Sequence, residues 1–146
     1  GFFFYNPSSV YKVLVLHHHL KGLSQFRRHD VARRASTALE AVKKCGVDLI
    51  LCGHLHESHI ERVRSGEGAH QLVVSSAGTA SSDRGRGEDV GVNGYNLVEI
   101  SDDQKVIVER RYDAGRGRFE AYRTSTFSRE RSWTDSSVVD ERCRDS

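Results

Sequence analysis

Apolar positions in the first third of the chain come in two unbroken runs, "KVLVLH" (12–17) and "VDLILCG" (47–53), rather than in alternation. A strand that is apolar at every position is one covered on both faces. Between the runs, Val31, Ala35, Ala38, Leu39 and Val42 recur at helical spacing, with Arg33, Arg34, Lys43 and Lys44 off that stripe. This pattern predicts a helix from about Asp30 to Cys45. Asp30 can cap its start, and Gly46 stands where a left-handed residue closes a helix. Strand, helix and strand at this spacing make a βαβ unit, with the two strands parallel in an α/β layer.

After Glu57 the pattern changes. "HIERVR" (59–64), "HQLVVSSA" (70–77), "GYNLVEI" (94–100) and "KVIVERRY" (105–112) are short, β-branched and partly alternating, and glycine-rich turns punctuate them. They read as an antiparallel meander beyond the βαβ unit. The stretch 81–94 is a long glycine-rich loop of the kind that is usually functional or mobile. Periodicity fades from Thr124, so residues 124–146 are expected to form a polar, loosely ordered tail, and residues 1–10 a lead of uncertain role.

Composition narrows the class without naming a function. The chain has 146 residues, 37% hydrophobic and 29% charged, which suits one soluble globular domain. No apolar run reaches the roughly 18 residues of a membrane helix, and the opening "GFFFYNPSSV" lacks the basic start of a signal peptide. A net charge of +2, mixed in sign along the chain, offers neither a basic stripe nor an aromatic platform, so no nucleic acid or membrane partner is expected. Cys45, Cys52 and Cys143 form no paired framework, which favours a reducing, cytoplasmic setting, with Cys52 a small buried side chain.

The chemistry lies where the buried strands stop. The first ends in His17, His18 and His19, and the second in "GHLH", with Gly53, His54 and His56. In βαβ layers ligands collect outside the carboxyl ends of the strands, so both groups reach one rim. Residues two apart on an extended chain share a side, and Gly53 permits a bend, so His54 and His56 are expected to face one site. Neutral imidazole is a common ligand for zinc, iron and manganese. A single histidine at a strand end is more often merely solvated, but a GHxH after a buried strand favours a metal. His29, His59 and His70 lack such a context and are taken as structural or exposed.

The order "VLVLHHHL", "GVDLILCGHLHE", "VVSSAGTASSDRGRG", "GYNLVEI" and "FEAY" resembles the second half of the calcineurin-like metallophosphoesterases, in particular their cyclic-nucleotide phosphodiesterase branch, over residues 10–123. The resemblance implies the C-terminal part of a four-layer α/β/β/α sandwich, spanning residues 11–123. It implies two divalent cations (manganese, iron or zinc) and a bridging hydroxide that attacks a phosphoester. By the same resemblance His17 and His54 are ligands of one metal and His56 of the other. A run of three histidines leaves His17 and His18 as alternatives for the first of these. His19 stands where the family often has proline and is expected to be a loop residue. His18, Arg84 and Arg86 are the candidates for contact with the substrate phosphate, the arginines as guanidinium forks.

The family's first half carries Asp-x-His, Gly-Asp and Gly-Asn-His motifs, none of which occurs in this chain. Two readings follow. In one the chain is the C-terminal half of a phosphodiester hydrolase. It then needs a segment bearing those motifs as its partner, holds at most one cation weakly alone, and is inactive in isolation. In the other it is a non-catalytic module that binds a metal weakly or only a protein. On either reading the strand 12–17 lacks the neighbour that would cover its apolar edge.

Overall fold

Leu49–Cys52, strand β2, is central because it is apolar on both sides and finds cover on both. In the computed structural model, which describes residues 10–20, 34–63 and 71–128, β2 pairs in parallel with β1 (Val13–Val15) and with β4 (Leu72–Ser76). The register runs Val13↔Leu49 on one side and Leu49↔Val73 on the other. Strand β3 (His59–Val63) closes the far edge antiparallel to β4, giving the order β1-β2-β4-β3. Helix α1 (Ala35–Lys44) covers one face of this sheet. Leu39 packs there with Ile50, Cys52, Val63, Leu72 and Val74, and Val42 lies against the same cluster. The opposite face packs Leu49 and Val73 on Ile107 and Phe127 of a second, antiparallel sheet. That sheet has the order β5 (Gly94–Ile100), β6 (Gln104–Asp113) and β7 (Arg118–Ser128).

The expected βαβ unit and antiparallel meander are therefore both present, and the described residues form three of the four expected layers. Gly46 closes α1 with a φ of 63°, as its position at the helix end foretold. The expected cap at Asp30 lies outside the described residues, and α1 is described from Ala35. Among the described residues no helix is long and apolar enough to cross a membrane.

Two expectations need correction. Residues 59–63 and 72–76 join the first sheet rather than the meander, with β4 parallel to β2. Every residue of β4 is buried, because it lies between α1 and the second sheet. Its serines fit that interior through hydrogen bonds. Ser75 Oγ accepts from Asn96, and Ser76 Oγ donates to the Glu57 carbonyl. The other correction concerns the tail expected from Thr124, where β7 instead continues to Ser128. Its Thr and Ser residues hide the strand from a search for apolar periodicity, yet Phe127 is buried in the core between the sheets.

At the other edge of the first sheet, Val15 is 71% exposed and Val13 is exposed too, while Leu14 and Leu16 pack on the α1 side. The expected apolar edge is thus present. Among the described residues no strand pairs with the outer side of β1.

Candidate metal centre

The parallel strands β1 and β2 end side by side, and their continuations stay in contact. The Leu16 N–H donates to the Leu51 carbonyl, and the Gly53 N–H donates to the His17 carbonyl at 3.4 Å. Beyond Gly53 the backbone bends sharply. His54 and His56 both adopt left-handed angles, with φ of 71° and 56°. The Leu55 N–H closes a tight turn on the Gly53 carbonyl at 2.8 Å. This is a γ-turn of the rare positive-φ kind. Gly53 itself has no positive φ and has open space where a Cβ would stand. The bend thus falls on the histidines rather than on the glycine expected to supply it.

The turn separates the two histidines of "GHLH". His54 Nδ1 lies 3.1 Å from His17 Nε2, and its ring centroid is 4.3 Å from that of His18. His17, His18 and His54 each offer a ligand nitrogen, all within 4.8 Å of one another. His56 stands outside this group, because alternation along an extended strand does not apply where both residues are left-handed. Two nitrogens about 2.0–2.1 Å from one tetrahedral zinc ion lie about 3.3 Å apart. The His17–His54 separation fits that spacing, and neutral imidazoles suit zinc, manganese and iron alike. Among the described residues no carboxylate joins the group.

His19 departs from its expected role as a loop residue. It is 3% exposed, with Nε2 3.1 Å from Ser76 Oγ and 3.5 Å from Cys52 Sγ. Burial, and next the charge of His59, hold its pKa below the ordinary value. Burial likewise pushes the Cys52 thiol up to about 11, so it is packing rather than a thiolate ligand. His59 is partly buried, with Nε2 3.7 Å from the Glu61 carboxylate. His29 and His70 lie outside the described residues.

The glycine-rich loop is more tightly built than its composition suggested. Thr79 accepts from the Gly94 N–H at 2.8 Å, so the two ends of the loop meet. The buried Asp89 accepts from the Ser58 N–H at 2.5 Å and from Arg111 Nη2 at 2.6 Å. A Cβ at Gly85 would stand 1.7 Å from the Asp89 carbonyl oxygen, so only glycine fits there. The Arg86 N–H donates to the His56 carbonyl at 3.0 Å, which seats the loop on the "GHLH" turn. Arg84 and Arg86 are exposed. Beside them, burial and the neighbouring Asp89 raise the Glu57 carboxyl above its ordinary pKa.

One buried group had no signal in the sequence. Glu109 is 2% exposed and accepts from Ser58 Oγ at 2.8 Å and from the Arg123 guanidinium. Burial alone would raise its carboxyl, but the bonds from Arg123 and Ser58 outweigh this and hold it below the ordinary value. Ser58 thereby joins the segment after His56 to both the loop and the second sheet.

No protein-family model matches the sequence, and no curated protein sequence matches it. Among solved structures, a conserved uncharacterized protein from Streptococcus pneumoniae TIGR4, described as a predicted phosphoesterase, is similar over 63% of this chain and 46% of its own, with 21% identity and a TM-score of 0.45. Vps29 from Chaetomium thermophilum aligns over 68% of this chain and 50% of its own, with 14% identity and a TM-score of 0.44. Vps29 from Entamoeba histolytica in complex with zinc aligns over 66% and 47%, with 21% identity and a TM-score of 0.38. The chain spans about half the length of the solved structures it matches.

Proposed function

We propose that this chain supplies the C-terminal, metal-binding part of a phosphodiester hydrolase acting in a reducing, cytoplasmic setting. The observation that carries this reading is the convergence of His17 Nε2 and His54 Nδ1, 3.1 Å apart where two parallel strands end. His17 and His54 hold one divalent cation, and His18 is near enough to complete its shell or to meet the substrate. His56, turned out of that group, is the ligand for a neighbouring cation whose remaining ligands come from a segment bearing the Asp-x-His, Gly-Asp and Gly-Asn-His motifs. Bound there, such cations polarise phosphoryl oxygens and lower the pKa of a water molecule.

The chain's own residues define the rest. The imidazoles are neutral donors, so they leave the positive charge of the cations to an anionic substrate. Arg86, on a loop fixed to the His56 carbonyl, and Arg84 two residues before it offer forked donors to a phosphate. The absence of a carboxylate from the histidine group, among the described residues, favours a second reading for the isolated chain: a module that binds one cation and does not turn over.

Hydrolysis of bis(p-nitrophenyl) phosphate with manganese separates the two. The hydrolase reading expects no turnover from this chain alone and turnover when a segment with the three motifs is supplied with it. Full reconstitution that binds metal yet never hydrolyses a phosphodiester would leave only the binding module.

A further inference from the structure

His17 and His18 are exposed, and the next residue is almost fully buried. Something must draw the chain inward at His19 so that the two residues before it stay on the rim. The ring of His19 enters the space between the first sheet and α1, where its Nε2 meets Ser76 Oγ at 3.1 Å. It also lies 3.5 Å from Cys52 Sγ. Ser76 Oγ in turn donates to the Glu57 carbonyl at 3.1 Å. Cys52 stands two residues before His54, and Glu57 directly follows His56. One buried imidazole therefore connects the histidine run to both ends of the "GHLH" turn.

Packing alone does not call for this residue. The cavity beside the ring is lined by Leu20, Leu39, Ile50 and Val74 together with His59 and Glu61, and a leucine would fill its apolar part without bringing a polar atom to satisfy. A buried polar ring is costly unless it is bonded, and this one bonds Ser76 Oγ, which itself holds the carbonyl at the end of the turn. The resemblance assigns this position no role and commonly puts proline there, which could make neither bond.

We propose that His19 is a positioning residue, whose buried contacts with Ser76 Oγ and Cys52 Sγ hold His17 and His54 at metal-binding separation. The inference rests on the reading that His17 and His54 bind a cation. Partners that orient metal ligands from behind are typically worth about 10–100-fold in metal affinity.

The test is titration of the chain with cobalt(II), reading affinity and the visible ligand-field spectrum, with circular dichroism as the check on folding. His19→Leu keeps the volume and removes the bonds. His19→Gln keeps an amide that can reach Ser76. Ser76→Ala removes only the hydroxyl and serves where the leucine variant does not fold. The proposal expects His19→Leu and Ser76→Ala to weaken binding by about 10–100-fold and to alter the spectrum, while His19→Gln stays near the native chain. Folded His19→Leu and Ser76→Ala variants with native affinity and spectrum would overturn it. The companion variant His17→Ala separates the two levels. If it loses cobalt while those variants do not, only the role of His19 is wrong. If His17→Ala binds like the native chain, or the native chain binds no cobalt, the metal reading fails and the role of His19 with it.

Discussion

His54 and His56 hold left-handed backbone angles that cost a residue with a Cβ on the order of 1–3 kcal/mol each, although histidine tolerates them better than most. Such strain persists where surrounding bonds over-determine it, and here Leu55, Arg86 and His17 all bond to this turn. Replacing His54 with glycine should therefore relieve strain while removing a ligand nitrogen. The expected outcome is loss of divalent-cation binding by calorimetric titration, with the melting temperature unchanged or raised. A lower melting temperature with binding retained would show that the ring is there for packing.

Glu109 allows a prediction with a sign. Its folded pKa lies below the ordinary carboxylate value. Its contribution is therefore fully present above the unfolded pKa and is lost as pH falls through the folded one. Glu109→Gln should cost about 1–3 kcal/mol at pH 7, since it weakens charge-assisted bonds to Arg123 and Ser58. Urea unfolding at several pH values should show the gap from native narrowing below about pH 4. A gap independent of pH would deny the carboxylate that role.

At the scale of elements, the loop between β4 and β5 depends on one glycine. Gly85→Ala brings a methyl against the Asp89 carbonyl, so the loop must open or lose its anchor on Ser58 and Arg111. Overpacking of this kind costs about 1–3 kcal/mol, and the loss should appear as faster amide exchange at residues 84–92. Strand β1 carries a different liability. Val13 and Val15 are exposed at the sheet edge, and exposed apolar edges invite pairing with other chains. Val15→Lys should leave unfolding stability within about 0.5 kcal/mol and reduce concentration-dependent association measured by light scattering. Unchanged association would place the sticky surface elsewhere, for instance on the exposed Tyr95, Leu97, Tyr112 and Tyr122 of the second sheet.

The elements read correctly from sequence were those whose pattern has a single cause. The run "VDLILCG" is apolar throughout because α1 covers one side of β2 and the second sheet the other. The elements misplaced were those whose residues serve two purposes. The serines of β4 are buried and hydrogen-bonded, and Thr124, Thr126 and Ser128 of β7 are exposed around a buried Phe127.

For the molecule as a whole, the rim where β1 and β2 end was legible because two histidine clusters follow two buried strands. Which histidines meet was not legible. That depends on the φ angles of His54 and His56 and on His19 turning inward, and neither is a matter of spacing. The bonds of Asp89 and Glu109 were hidden for a related reason. Each meets its arginine only once the loop and the strands of the second sheet are in place. What results is a rim that gathers imidazole nitrogens from two strand ends and backs them with a polar network reaching the second sheet.

His17 and His54 are proposed to hold one cation between them. Crystals of the chain grown with manganese or zinc and measured at the metal's absorption edge test it directly. An anomalous peak in contact with His17 Nε2 and His54 Nδ1 is the expected result. A metal-saturated crystal with both nitrogens bare, or with its peak on other residues, would contradict it.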